Sequence, residues 1–174
     1  LRFDFTSLEP ITPRELKNVE KIVNEKIWEA IQVKTTETDP ETGKKMGALA
    51  LFDGKYTDKV RVVQMDDFSI EFCGGTHCDN TSQIGVFKII SEQAIGAGVR
   101  RIEAVTSKLA YEYLAGRSDI LDQIQAQVKA TKAEDIQSKI ASLQEELRSA
   151  EKQNAAYEAQ INASKAGKIF DQVK

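Results

Sequence analysis

Cys73 and His77 are four residues apart in the segment Cys73-Gly74-Gly75-Thr76-His77, and His77 is the only histidine of the chain. A cysteine thiolate and a histidine imidazole are both zinc ligands, and two ligands this close, with glycines between them, can converge on one metal ion. Zinc takes four ligands in a structural site, or three and an open position in a catalytic site. The pair is therefore half of a site. Its other ligands are either carboxylates and water or residues outside this chain.

Cys78 directly follows His77 and is the only other cysteine. It is an alternative metal ligand, although we interpret it as a bystander. Two cysteines this close together do not indicate a disulfide framework, so a reducing cytoplasm is the expected compartment.

The composition of the chain is that of a globular protein with many charged residues. Its 174 residues are 41% hydrophobic and 29% charged, with a net charge of −3. This length accommodates one domain and an appendage. Because the chain is not basic overall, any nucleic acid would have to bind through local patches. No apolar run approaches the ~18 residues that span a membrane, so we expect no membrane partner.

The glycine-rich motif must be positioned by strands and helices in the first part of the chain. The chain opens with Leu1-Arg2-Phe3-Asp4-Phe5 and no methionine, an alternation typical of a strand, so we expect a piece of a longer protein. Thr12-Pro13-Arg14-Glu15 predicts a capping box, and the apolar periodicity after it predicts a helix to about Gln32. A short helix or turn is predicted over 39–46. Predicted strands cover 33–38, 60–65, 69–72, 86–90 and 99–105.

Composition changes near Gly116, because all three prolines and the tryptophan precede it. We therefore predict an α+β body over residues 1–115, with a mixed or antiparallel sheet and flanking helices, and a helical tail over residues 116–174. Thr131-Lys132-Ala133-Glu134 predicts a second capping box. After it, the seam positions of a heptad alternate at spacings of four and three, as in a coiled coil, and all but Asn154 are apolar or aromatic. They are Ile136, Ile140, Leu143, Leu147, Ala150, Asn154, Tyr157 and Ile161.

Two arrangements of the tail are open. A shorter apolar stripe precedes the second capping box, so the tail is either an antiparallel helical hairpin within one chain or a coiled coil between chains. We favour the hairpin and keep self-association as the alternative.

Four segments, in this order, resemble the editing domain of the bacterial alanyl-tRNA synthetase family over roughly residues 1–115. They are Leu1-Arg2-Phe3-Asp4-Phe5, Gly47-Ala48-Leu49-Ala50-Leu51-Phe52, Cys73-Gly74-Gly75-Thr76-His77 and Ala97-Gly98-Val99-Arg100-Arg101-Ile102-Glu103-Ala104-Val105-Thr106. Together they are highly specific, although any one of them alone would be weak. The tail resembles the helical linker that leads to the C-terminal domain of that family.

The resemblance implies hydrolysis of the ester in tRNA(Ala) wrongly charged with serine or glycine. It also implies a zinc ion held by a His-x-x-x-His pair and by Cys73 and His77. That histidine pair would lie upstream of Leu1, so we expect the zinc site to be incomplete here and this piece to be inactive alone. ATP and magnesium belong to the aminoacylation domain, which is absent from this chain.

The resemblance also suggests roles for other residues. Thr76 is a candidate for orienting the loop or contacting substrate, and Gly74 and Gly75 would let the backbone approach the tRNA acceptor end. Arg100 and Arg101 are candidate tRNA phosphate contacts. They alternate along a strand, so one of them is expected to pair with Glu92 or Glu103.

The sequence leaves three rival interpretations open. The chain could be a free-standing editing protein of the same superfamily, or the related region of threonyl-tRNA synthetase, although Gly75-Thr76 fits the alanine family better. A rival of another class is a non-enzymatic coiled-coil adaptor with a small α/β head.

Overall fold

The computed structural model describes the backbone of residues 1–50 and 58–172, and the side chains of residues 1–50 and 58–163. The chain divides into two compact units, Leu1–Leu114 and Ala115–Lys174. The first unit contains six strands in two antiparallel three-stranded sheets, ordered β1-β6-β5 and β2-β3-β4. The α+β class predicted from the sequence is confirmed. The strands, however, form two separate sheets.

The first sheet consists of β1 (Arg2–Thr6), β5 (Phe87–Gly96) and β6 (Val99–Thr106). Helix α1 (Pro13–Trp28) packs against it, and its Ile27 forms a buried cluster with Phe87 and Ala104. Strand β5 is an edge strand, and side chains of α1 hydrogen-bond to some of its unpaired backbone groups. Asn24 exchanges hydrogen bonds with the backbone N–H and C=O of Phe87, each at 2.9 Å, and Glu20 accepts from the Ile89 N–H. These side chains protect an edge that would otherwise be open to pairing with another strand.

The second sheet consists of β2 (Val33–Thr38), β3 (Val60–Met65) and β4 (Ser69–Phe72). Its core is a cluster of Ala48, Val60, Val62 and Phe72. The short helix α2 (Pro40–Lys45), capped by Asp39, packs on this cluster through Gly43. A Cβ at Gly43 would clash with the Phe72 ring, so only glycine allows this close approach.

Helix α1 confirms the predicted start and corrects the predicted end. Thr12 and Glu15 form both hydrogen bonds of the capping box. The helix stops at Trp28, before the predicted Gln32, because Ala30 has a φ of 52° and leaves the right-handed region. The backbone after it is held from outside the helix, since Asn80 donates to the Ala30 carbonyl and Thr81 accepts from the Ile31 N–H.

The remaining predicted elements are largely confirmed. The strands over 33–38, 60–65 and 69–72 and the short helix form as expected, and β5 extends beyond its predicted end to Gly96. In the segment Gly47–Phe52, Leu49 bridges to Glu71 in parallel, whereas residues 51 and 52 lie outside the described part of the chain.

Two helices follow the sheets, α3 (Ser107–Gln127) and α4 (Ile136–Gln172). The predicted capping box at Thr131 does not form. Instead, α4 is preceded by a 3-10 turn, Ala133–Asp135, whose N-cap is Lys132 and which has no side-chain cap. The carbonyl of Thr131 accepts from Gln125, which ties the connection back to the end of α3.

The apolar seam of the tail is largely exposed. Ile136 is buried, whereas the apolar side chains that follow it along the seam are exposed, namely Ile140, Leu143, Leu147, Tyr157 and Ile161. The hairpin and the coiled coil therefore stay predictions. Among the helices of the described chain, none combines the length and apolar character needed to cross a bilayer.

Candidate metal centre

The strand pleat directs Cys73 and a nearby carboxylate to the same side of the second sheet. Side chains two residues apart along a strand point to one face, so Glu71 and Cys73 share a face, and Phe72 between them points to the buried core. The ladder continues past the formal end of β4, since the Cys73 N–H donates to the Arg61 carbonyl at 3.0 Å. The first metal-binding candidate is therefore held on a regular strand. It does not lie on a free loop.

Backbone hydrogen bonds also hold the far end of the loop that follows Cys73. The Val33 N–H donates to the Asp79 carbonyl at 2.8 Å, and the Thr81 N–H donates to the Ile31 carbonyl at 3.0 Å. The Thr81 hydroxyl, which is buried, also donates to the Lys26 carbonyl. Backbone hydrogen bonds therefore hold both ends of the loop, and the turn Gly74-Gly75-Thr76 lies between them.

Cys73 and His77 converge as the sequence predicted. A Cβ placed on Gly75 would lie 3.5 Å from the Cys73 Sγ and 3.7 Å from the His77 Nε2, so both atoms border one small space. Among the described side chains, the His77 Nε2 is the one buried nitrogen or oxygen without a hydrogen-bond partner. Buried polar atoms are normally satisfied, so an orphaned imidazole nitrogen beside a thiol sulfur fits a metal ligand. The residues present therefore fit zinc.

Glu71 is a third candidate donor, which the sequence motif alone did not indicate. One ligand atom from each of Glu71, Cys73 and His77 lies within 4.8 Å of the other two, and all three residues are half-buried. The signal was present in the sequence: once Ser69–Phe72 is taken as a strand, the residue two before Cys73 must share its face. Cys73 and Cys78 are both free thiols, and Cys78 does not belong to this three-residue group.

The three residues between Cys73 and His77 leave the site accessible. Gly74, Gly75 and Thr76 are all exposed. Nothing lies within 4 Å of a Cβ built on Gly74, so its backbone faces open space. The turn itself is therefore open to solvent on this side. The predicted substrate roles of these three residues stay predictions.

The two predicted tRNA contacts lie on β6 of the other sheet, and each is paired with an acid. Arg100 donates two hydrogen bonds to the Glu92 carboxylate, and Arg101 donates two to Asp4, at 2.7 and 2.8 Å. The Arg100 and Glu92 side chains are only 12% and 6% exposed. Arg100 therefore forms a shielded ion pair, and Arg101 is the more exposed of the two side chains. Their predicted tRNA contacts stay predictions.

We expect Arg100→Gln to destabilise the fold more than the matched variant Arg101→Gln. Removing Arg100 leaves the shielded Glu92 carboxylate without its partner cation, whereas Asp4 is 43% exposed and is solvated by water instead. Urea unfolding of both variants beside the original chain measures the difference. Equal losses would contradict the structural assignment of Arg100.

The Glu92 carboxylate also makes the stability contributed by Arg100 depend on pH. Hydrogen bonds from Arg100 lower the pKa of Glu92 from its ordinary value of 4.5. A lowered folded-state pKa gives a stabilising contribution that is complete above the ordinary value and is lost as the pH falls through the folded value. We therefore expect the difference in the free energy of unfolding between the original chain and Arg100→Gln to become smaller below pH 4.5.

Comparisons with known proteins show which proteins this chain resembles. Residues 60–103 match the family described as Threonyl and Alanyl tRNA synthetase second additional domain, a range that contains β3, β4 and the metal loop. The whole chain is 98% identical to part of an alanine–tRNA ligase of Lactobacillus delbrueckii subsp. bulgaricus. It is 71% identical to part of those of Lactobacillus helveticus and Lactobacillus acidophilus. The chain spans 20% of the length of each of these relatives.

Proposed function

We propose that this chain, which belongs to the alanyl-tRNA synthetases and spans about a fifth of their length, supplies part of a zinc-dependent site that hydrolyses mischarged tRNA. The observation that carries the proposal is the orphaned His77 Nε2 beside the Cys73 Sγ. In this proposal the substrates are Ser-tRNA(Ala) and Gly-tRNA(Ala), and the partner is the acceptor end of tRNA(Ala).

The need for a hydrolytic site follows from the size of the amino acids. Glycine and alanine differ by one methyl group, and a pocket that differs by one methylene or methyl discriminates by only about 1–3 kcal/mol. A second site that removes wrong products supplies the missing selectivity. The alanine-ligating activity of the whole protein, with its ATP and magnesium, is part of the same proposal and lies on other segments.

The residues of this chain have distinct roles in the proposed reaction. Cys73 would hold zinc as a thiolate, and His77 as a neutral imidazole through its free Nε2. The exposed turn would admit the terminal nucleotide, and Thr76 would orient the loop or contact the substrate. When bound, zinc would supply a Lewis acid, an activated water or an anchor for the terminal adenosine.

The rival interpretations fit the observations less well. All of this chain aligns with about one fifth of the ligase, which favours a segment of a synthetase over a free-standing editing protein. The relatives are alanine–tRNA ligases, which decides against the threonyl interpretation. A pure adaptor would have no need for three converging metal donors. The free thiols fit the reducing cytoplasm, where we propose that the protein acts.

The tail carries a separate proposal. Its seam of exposed apolar residues supports pairing with another helix, within one chain as a hairpin or between two chains as a coiled coil. Sedimentation over a range of concentrations distinguishes the two arrangements.

The editing proposal is tested with this chain and with one extended upstream to include the expected His-x-x-x-His pair. We expect only the extended form to cleave Ser-tRNA(Ala). In that form Cys73→Ala should lower zinc affinity by at least about 10–100-fold, whereas the matched variant Cys78→Ala should bind normally. Robust cleavage by the short form would contradict the proposed division of the site. Equal losses for the two cysteine variants would show that the ligand assignment is wrong.

A further inference from the structure

We propose that Glu71 is a metal donor, so that this chain alone presents three converging ligands for one zinc ion and can bind it without the upstream histidine pair. The inference rests on the proposed function in one respect, because it takes Cys73 and His77 to be metal ligands. It goes further in assigning a role to a residue outside the Cys73–His77 motif.

The backbone places the Glu71 carboxylate on the side of the sheet that carries the other donors. Glu71 lies opposite Val63 in the β3–β4 register, and it is bridged on its other side to Leu49. Val63 is fully buried. A strand that is paired on both sides has little freedom, so the base of the Glu71 side chain is fixed next to that of Cys73.

The chemistry of the three donors suits zinc better than a hard cation. Zinc accepts sulfur, nitrogen and carboxylate oxygen together, whereas calcium and magnesium prefer oxygen alone. Two donors of this chain are a thiol and an imidazole, and the third is an acid within 4.8 Å of both. Catalytic zinc sites show that three protein ligands are enough to hold the ion, so the upstream pair is not required for binding itself.

The Glu71 carboxylate could bind the metal directly or only orient His77. The two roles differ in how substitution of Glu71 changes the atoms bound to the metal. A carboxylate that only oriented His77 would leave the metal with the same set of donor atoms after substitution. A ligating carboxylate changes that set. Cobalt(II), which replaces zinc and absorbs visible light according to its ligands, reports the difference.

The test measures zinc and cobalt binding by the 174-residue chain through competition with a coloured chelator. We expect Glu71→Gln to weaken zinc binding by at least about tenfold and to shift the cobalt d–d bands while the sulfur charge-transfer band persists. The matched control, Glu37→Gln on β2 of the same sheet, should bind like the original chain. Glu71→Asp, which keeps the charge but shortens the reach, should also weaken binding. Circular dichroism of the metal-free variants verifies folding.

The outcomes separate this inference from the proposed function. If Cys73→Ala and His77→Ala lose the metal but Glu71→Gln and Glu71→Asp bind zinc and cobalt as the original chain does, the role of Glu71 is overturned and the proposed function stands. Unchanged cobalt bands in a weakened Glu71→Gln would likewise overturn direct ligation. If the original chain binds no metal, the three-donor site is overturned, and the extended chain then decides whether the proposed function survives.

Discussion

Phe72→Ala is expected to lower the free energy of unfolding by about 3–5 kcal/mol, the usual cost of removing a buried aromatic side chain. Phe72 is 4% exposed and belongs to the cluster with Ala48, Val60 and Val62. The helix α2 also depends on it, because Gly43 sits directly against its ring. Small domains are stable by only about 5–15 kcal/mol, so this loss is a large fraction of the total.

The same substitution should weaken the metal site, although Phe72 is not a ligand. Phe72 lies between Glu71 and Cys73, and its burial fixes the pleat that places both donors on the opposite face. We therefore expect Phe72→Ala to lower zinc affinity as well as stability. The packing of the second sheet's core would then affect zinc binding at the end of β4.

Urea unfolding and zinc competition on the same samples measure both effects. The matched control is Phe68→Ala, in the turn before β4, where the ring is 53% exposed and contacts Lys26. Surface substitutions of this kind usually change stability by about 0.5 kcal/mol or less. A Phe72→Ala variant as stable as Phe68→Ala would mean that the second sheet does not depend on this core.

The elements that the sequence predicted well are those specified by neighbouring residues. The capping box of α1 involves Thr12 and Glu15, which lie within one turn of each other. The strands around the metal motif follow from short apolar alternation, and the convergence of Cys73 and His77 follows from a turn only three residues long. Each of these features is decided by local sequence, so no knowledge of distant contacts was needed.

The features that sequence analysis missed depend on contacts between distant residues. The end of α1 is set by Asn80 and Thr81, about fifty residues away, which bind the backbone that a helix would have used. The division of the strands into two sheets is likewise a matter of long-range pairing. Arg100 was predicted as a candidate for tRNA and also as half of an ion pair, and only the structure shows its partner to be Glu92.

Polar residues that face inward are a second class of missed features. Asn24 and Glu20 lie on α1 among charged neighbours and resemble solvent-facing residues in the sequence. In the structure they hydrogen-bond to unpaired backbone groups of β5. This role depends on β5 being an edge strand of its sheet. Glu71 was overlooked for a related reason, because its proximity to the metal donors becomes visible only when the strand face is considered.

Asn24→Leu is expected to lower the free energy of unfolding by about 2–5 kcal/mol, because it leaves two backbone groups of Phe87 without partners. The site is buried, with Asn24 8% and Phe87 7% exposed, so water cannot easily replace the lost bonds. Asn18→Leu, at an exposed position of the same helix, is the matched control and should change stability by about 0.5 kcal/mol or less. Urea unfolding measures both.

Asn24→Asp distinguishes lost hydrogen bonds from lost packing, because aspartate has nearly the same shape as asparagine. Its carboxylate keeps the acceptor for the Phe87 N–H but faces the carbonyls of Phe87 and Glu20, which its ionised form repels. Repulsion and burial raise the folded-state pKa of such a group, so its stability is present at low pH and is lost as the pH rises through the folded value. We therefore expect Asn24→Asp to regain stability relative to the original chain on acidification, whereas Asn24→Leu does not. A constant deficit for Asn24→Asp between pH 4 and 7 would show that packing, and not the paired amide, holds α1 against the edge of β5.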